Sequence, residues 1–318
     1  VVIEEWECEL TFMSDDFLRM MAEEYMVLDG GLGTLLHAKG LSSGEIPEDW
    51  NISNPEIVKN IHLEYFIAGS QIIETNTFGA SALKLAANEK QGQLIEFNVR
   101  GVELARAALK EFRDIYRVPD NSRYVSGSVG PTGKIFEMEV DRQKVEENYL
   151  EQGSILAEAG IDLFTVETMM DLREAEVAVK ALKKVARLPV LVSMVFNKTK
   201  KGEFRTLFGD SVNDAVVRLI EAGADGVGTN CGLVEEYVDV IREMRNLTNI
   251  PLLLYPNAGL PKLKGGITVF EQTPGQLIAY LDESISAGAT IIGGCCGTTP
   301  EYIKLVSERI KGKKRLPV

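Results

Sequence analysis

The stretch VEENYLEQGSILAEAGIDLFTVETMMDLREAEVAVKALKKVARLPVLVSMV, from Val145 to Val195, carries the fold in miniature. Val145 to Ala159 has the apolar spacing of a helix, Ala159-Gly160 stops it, and Asp162 to Val166 is a short apolar run with strand character. Leu172 to Val185 is helical again, and Val190 to Val195 is a second apolar run. A glycine just past a helix and directly before a strand is the usual helix-to-strand connection. Short strands that are apolar on both faces, joined by a helix, suit a parallel sheet covered by helices.

The same unit recurs in both directions. Strands are expected at Tyr25 to Leu28, Gln71 to Thr75, Tyr124 to Ser128, Asp162 to Val166, Val190 to Val195, Asp225 to Thr229, Pro251 to Tyr255 and Thr290 to Gly293. Helices are expected at Pro55 to Ala68, Gln93 to Phe112, Val145 to Ala159, Leu172 to Val185, Val212 to Ala222, Val234 to Arg245 and Pro274 to Ala287, with a last one after the final strand. Ala68-Gly69, Ala222-Gly223 and Ala287-Gly288 repeat the stop at Ala159-Gly160. Eight strand-then-helix units predict a closed (β/α)8 TIM barrel with an N-terminal extension. A doubly wound open sheet is the alternative, because strand order is not written in the sequence. The expected domains are an N-terminal extension over 1–24, helical and packed on the barrel, the barrel over 25–312, and a basic tail over 313–318.

The 318 residues hold 47 acidic and 34 basic side chains, a formal charge of −13, which argues against a nucleic-acid or anionic-membrane surface. No stretch approaches the roughly 18 apolar residues of a membrane span, and Val1 to Leu10 is too acidic for a signal or transit peptide. A cytoplasmic protein is expected.

A barrel concentrates chemistry at the C-terminal ends of its strands. Residues of unusual type do collect there: Asp29-Gly30-Gly31-Leu32-Gly33-Thr34, Glu74-Thr75-Asn76-Thr77-Phe78-Gly79, Gly127-Ser128-Val129-Gly130-Pro131-Thr132-Gly133, Glu167-Thr168, Asn230-Cys231-Gly232, Pro256-Asn257-Ala258-Gly259 and Gly294-Cys295-Cys296-Gly297-Thr298-Thr299-Pro300. Cys231 follows the sixth strand and Cys295 and Cys296 follow the eighth, so a closed barrel brings three thiols to one rim. Three sulfurs suit zinc, with a fourth position open. The 64 residues between Cys231 and Cys295 exclude a local zinc ribbon, so the fold must assemble the site. Three thiolates make an anionic centre, poor for activating water and well suited to holding a substrate thiol as the nucleophilic thiolate. The plainer reading is that these cysteines are small buried residues, and a Cys295–Cys296 disulfide is a third. Cys8, outside the barrel pattern, reads as structural.

Two glycine-rich segments invite nucleotide readings and fail. Gly31-Leu32-Gly33 is followed by Leu36 where a third glycine is needed, and Ser128 and Ile135 replace the residues a Walker A loop requires around Gly133-Lys134. The amides of Gly30 to Gly33 can still receive a small carboxylate. Thr299 and Pro300 read as the N-cap and first residue of the last helix. Asp29 and Glu167 face the mouth, where a buried carboxylate needs a partner: a substrate ammonium, or a salt bridge or loop amide of the protein itself. Glu74, Asn76 and Thr77 read as loop-stabilising residues, and His37 and His62 as satisfied packing residues on helices.

With its first, second, third, sixth, seventh and eighth strand ends, and above all GGCCGTTP at Gly293 to Pro300 with Asn230-Cys231 upstream, the chain resembles the zinc-dependent homocysteine S-methyltransferase family from about Tyr25 to Ile310. The resemblance implies that Cys231, Cys295 and Cys296 hold zinc and that homocysteine sulfur takes the open position before attacking an activated methyl group. It implies that Asp29 and Glu167 bind the substrate amine and that amides of Gly30 and Gly31 receive its carboxylate, with Asn76 carried as a further substrate contact. Asn257 matches an Asn that ligates zinc in some members when substrate is absent.

Thr75-Asn76-Thr77-Phe78-Gly79 and Gly130-Pro131-Thr132-Gly133 look most like the homocysteine module of cobalamin-dependent methionine synthase, and Thr168 stands where betaine-using members carry Tyr. A methylcorrinoid such as methylcobalamin, arriving on a separate protein or polypeptide segment, is therefore the expected methyl donor. S-methylmethionine is the runner-up, and other thiols or selenohomocysteine stay open as acceptors. Two readings from other classes are a non-catalytic zinc-bound docking subunit and a phosphate-binding aldolase. The latter is weakened by the lack of a lysine within the expected strands.

Overall fold

The computed structural model describes residues 17–42, 44–264 and 267–315. Eight short parallel strands are present: β1 Met26–Val27, β2 Ile72–Glu74, β3 Tyr124–Val129, β4 Leu163–Met169, β5 Val190–Met194, β6 Gly226–Asn230, β7 Leu252–Tyr255 and β8 Ile291–Ile292. Each pairs with its sequence neighbour, and β1 also pairs with β8. A parallel bridge between Leu28 and Ile72, with the Gln71 N–H donating to Val27 O at 2.8 Å, joins β1 to β2 and closes the ring. The fold is a (β/α)8 barrel, and the open doubly wound alternative is excluded because no edge strand remains.

Both faces of each strand are buried, which is why the apolar runs lack strict alternation. Val125, Leu252 and Leu254 point outward into a shell of helix and strand side chains, while Tyr124, Leu163, Leu191, Leu253 and Ile291 fill the barrel interior. Phe17 and Met21, from a helical turn over 17–23, join that interior cluster, so this segment plugs the barrel from below. The basic end lies beside it: the Arg315 N–H donates to Glu23 O at 3.0 Å and its guanidinium to Met21 O at 2.6 Å. Cys8 lies outside the described residues.

Helices Pro55–Ala68, Leu172–Val185, Val212–Ala222 and Val234–Arg245 take the bounds the sequence suggests. The four glycines at helix ends, Gly69, Gly160, Gly223 and Gly288, have φ from 91° to 113°, the left-handed cap that only glycine adopts freely. The stretch expected as one helix over Pro274 to Ala287 is instead two, Pro274–Ile278 and Leu281–Ala287. The Tyr280 N–H bonds three residues back to Leu277 O at 3.1 Å, tightening the turn and breaking the α-helical run. Two hairpins, Asn197–Lys198 with Phe204–Arg205 and Lys262–Lys264 with Ile267–Val269, extend the loops after β5 and β7. Among the described residues no helix is long and apolar enough to cross a membrane.

Candidate functional site

The strand ends enclose a cavity of about 500 Å³, lined by Asp29, Gly30, Gly31, Glu74, Asn76, Ser128, Glu167, Thr168, Cys231, Cys295 and Cys296 together with residues of the β1 and β2 loops. The fold thus brings together the cysteines, the two acids and the glycine loop singled out from the sequence. Asn257 is buried at the end of β7 beside them.

The three cysteines are free, and their sulfurs lie within 4.8 Å of one another. Sulfurs on one tetrahedral zinc, each at about 2.3 Å, would be about 3.8 Å apart, so the set fits without rearrangement of the fold. Backbone bonds fix it. Asn257 N–H donates to Gly232 O and Ala258 N–H to Cys296 O, both at 2.9 Å, so the loop after β7 ties the two cysteine loops together. A Cβ on Gly31 would fall 2.5 Å from Cys295 O, which shows how closely the first loop passes the eighth. Cys231 itself takes a left-handed φ of 64°.

Three thiols this close cannot all ionise without a cation. Hydrogen bonds from Cys295, then Cys296, push Cys231 down to about 3, and the hydrogen bond it gives to Cys231 pushes Cys296 up to about 12, with burial adding to the rise. The Asn257 amide N–H donates to the Cys231 sulfur at 3.8 Å, while its Oδ1 is buried with no partner. A cluster of soft donors beside an unsatisfied amide oxygen is the chemistry expected of a metal centre.

The acids form a second cluster. Asp29 is 1% exposed, and Glu167 accepts the Ser128 hydroxyl at 2.5 Å. Burial raises Asp29 well above the usual carboxylate range, partly offset by the Glu74 amide and reinforced by Glu167. Burial also pushes Glu167 up to about 7, lowered in part by Ser128 and raised further by Cys231. Glu74 belongs here rather than to the loop. It continues the inward row of β2 after Ile72, burial and the other two acids raise it well above normal, and its Oε1 has no partner. The period-two alternation Ile72-Ile73-Glu74 was the signal available in the sequence. Among the described residues that line the cavity Lys84 is the sole basic one, so Asp29, Glu74 and Glu167 lack compensating charge and favour an incoming cation.

Other expected roles divide. Asn76 lines the cavity, but its amide N–H groups are spent on Pro47 O at 2.7 Å and Asn51 Oδ1 at 2.8 Å. The Gly31 N–H donates to Thr298 Oγ1 at 3.0 Å. Thr299 stands at the N-cap of helix Pro300–Ile310 without a side-chain capping bond. His62 is packed but not satisfied: neither ring nitrogen has a partner, and burial pushes it down to about 4, so it is neutral.

A family model described as homocysteine S-methyltransferase matches residues 26–310. Methionine synthase of Mycobacterium leprae is 30% identical over 309 residues, 93% of this chain and 25% of that protein. Its counterpart from Mycobacterium tuberculosis is 30% identical over 314 residues, 94% of this chain and 26% of that protein. The chain therefore spans about a quarter of the length of these curated relatives. The metallated form of the homocysteine methyltransferase MmuM from Escherichia coli superposes with a TM-score of 0.76 at 27% identity, covering 90% of this chain and 96% of that chain.

Proposed function

The chain belongs to the homocysteine S-methyltransferase family, and from that membership we propose that it is a zinc-dependent methyltransferase that methylates the thiol of homocysteine to give methionine. The observation that carries the reading is the meeting of three thiols with an uncompensated acid cluster in one cavity.

Cys231, Cys295 and Cys296 would hold the zinc, with Asn257 Oδ1 as a fourth donor until substrate arrives. Zinc bound there would supply a soft Lewis acid that keeps the substrate sulfur ionised and nucleophilic at neutral pH. The protein does the rest. Asp29 and Glu167 bind the ammonium group, the unpartnered Glu74 Oε1 adds an acceptor in the same cavity, and the Gly30 amide takes the carboxylate, the Gly31 N–H being held by Thr298. Binding at both ends fixes the sulfur at the cysteine cluster and leaves the mouth as the approach for the methyl donor.

For the donor we propose a methylcorrinoid presented by another protein or polypeptide segment. Its support is the likeness to methionine synthases, of which this chain covers only a part. A small donor such as S-methylmethionine is the second reading.

Metal content of single Cys→Ala variants, with methionine formation from homocysteine and either methylcobalamin or S-methylmethionine, tests the reading. About one zinc per chain, lost with each cysteine, and turnover with methylcobalamin are expected. Full zinc retention by Cys296→Ala contradicts the three-sulfur site, and turnover with S-methylmethionine alone promotes the second donor.

A further inference from the structure

The Asn230 side chain, at the end of β6, is completely buried and every hydrogen-bonding position on it is engaged. Its Oδ1 accepts the Thr168 backbone N–H at 3.0 Å and the Ser193 hydroxyl at 2.9 Å. Its Nδ2 donates to Thr168 Oγ1 at 2.8 Å and to the Cys295 sulfur at 3.8 Å. Two acceptor and two donor sites are all a carboxamide has, so its orientation is fixed: a flipped amide would set N–H against the Thr168 N–H.

The partners explain why this matters. Thr168 follows Glu167 and has φ of 59°, a left-handed conformation that is an outlier for a β-branched residue and persists only where the surroundings impose it. Asn230 supplies that imposition by gripping both the N–H and the hydroxyl of Thr168. The residue after Asn230 is Cys231, also left-handed at φ 64°. Tyr237 holds this backbone in turn, donating its hydroxyl to Asn230 O at 2.9 Å. One buried carboxamide therefore touches the turn after Glu167 and the sulfur of Cys295, and its own backbone leads directly into Cys231.

We infer that Asn230 is a positioning residue that locks the ammonium-binding edge of the cavity to the cysteine cluster, and that its N–H moderates the charge on the Cys295 sulfur. The inference rests on the proposed function. It adds that the distance between the amine and sulfur subsites is set by this side chain. Alanine at 230 removes the grip that holds Thr168 in its strained left-handed conformation and removes the donor to sulfur. Glycine at 168 takes the left-handed conformation without help, so it relieves the first defect and not the second.

The test loads wild-type protein, Asn230→Ala and the double variant Asn230→Ala with Thr168→Gly with Co²⁺. It reads the sulfur-to-cobalt charge-transfer band and the dissociation constant for homocysteine. In Asn230→Ala the band should shift in wavelength and homocysteine binding should weaken at least tenfold. The double variant should recover part of that affinity while its band stays shifted, a rescue that a merely structural role for Asn230 does not give. If circular dichroism shows that Asn230→Ala does not fold, Asn230→Asp, which keeps the shape and loses the donor, carries the same expectation for the band. A folded variant with band and affinity at wild-type values overturns the inference alone. Wild-type protein with no band overturns the three-sulfur reading and this inference with it.

Discussion

Asp29 accepts the backbone N–H of Glu74 on one carboxylate oxygen, Oδ2, at 3.0 Å across the seam where β1 meets β2. The other oxygen, Oδ1, is buried with no partner. One side chain thus holds the barrel closed and keeps an unpartnered oxygen for a ligand in the cavity. Asp29→Asn keeps an oxygen for the Glu74 N–H and removes the charge. Homocysteine affinity should fall at least tenfold while stability changes by less than about 1 kcal/mol. Asp29→Ala should lose the same affinity and also about 1–3 kcal/mol of stability, because the Glu74 N–H is left buried and unpaired. Calorimetry and urea denaturation separate the two effects. Equal stability losses in both variants would contradict the dual role.

Glu167, raised from 4.5 to about 7, sets a pH dependence. For a carboxyl raised by folding, the stability contribution is complete below the unfolded value of about 4.5 and is lost as pH climbs through 7. Homocysteine reverses the balance, since its ammonium favours the ionised form. Binding measured by calorimetry from pH 6 to 8 should strengthen as pH rises, and Glu167→Gln should be weaker and less steep by up to about one proton. Affinity that falls over this range would contradict the assignment of the ammonium site.

Phe17 packs edge-on against Tyr124 inside the barrel floor, with ring centroids 4.7 Å apart, and is 1% exposed. Phe17→Ala should cost about 3–5 kcal/mol in urea denaturation, as large aromatic truncations in cores do, with metal content unchanged. A loss below about 1 kcal/mol would mean that the 17–23 segment lies on the barrel without supporting it.

The parts of the molecule legible in the sequence are those written in local chemistry. The strands were visible as apolar runs because both sheet faces are buried, and the helix ends because Gly69, Gly160, Gly223 and Gly288 need a left-handed backbone. The convergence of Cys231 with Cys295 and Cys296 followed from their places just after expected strands once a closed barrel was expected, and the strand order bears it out. What stayed hidden depends on contacts between distant strands. Glu74 is the exception, since the alternation Ile72-Ile73-Glu74 pointed it inward although it read as a loop-stabilising residue. The grip of Asn230 on Thr168 spans 62 residues and leaves no periodic trace. The break between Ile278 and Leu281 turns on one hydrogen bond, with neither glycine nor proline to announce it.

The central claim is that a metal held by Cys231, Cys295 and Cys296 takes the sulfur of homocysteine as its next ligand. X-ray absorption at the zinc edge counts sulfur neighbours directly. The account predicts about three sulfurs at about 2.3 Å with one lighter atom in the free protein, and about four sulfurs once homocysteine is added. An unchanged count of three in protein saturated with homocysteine would contradict it.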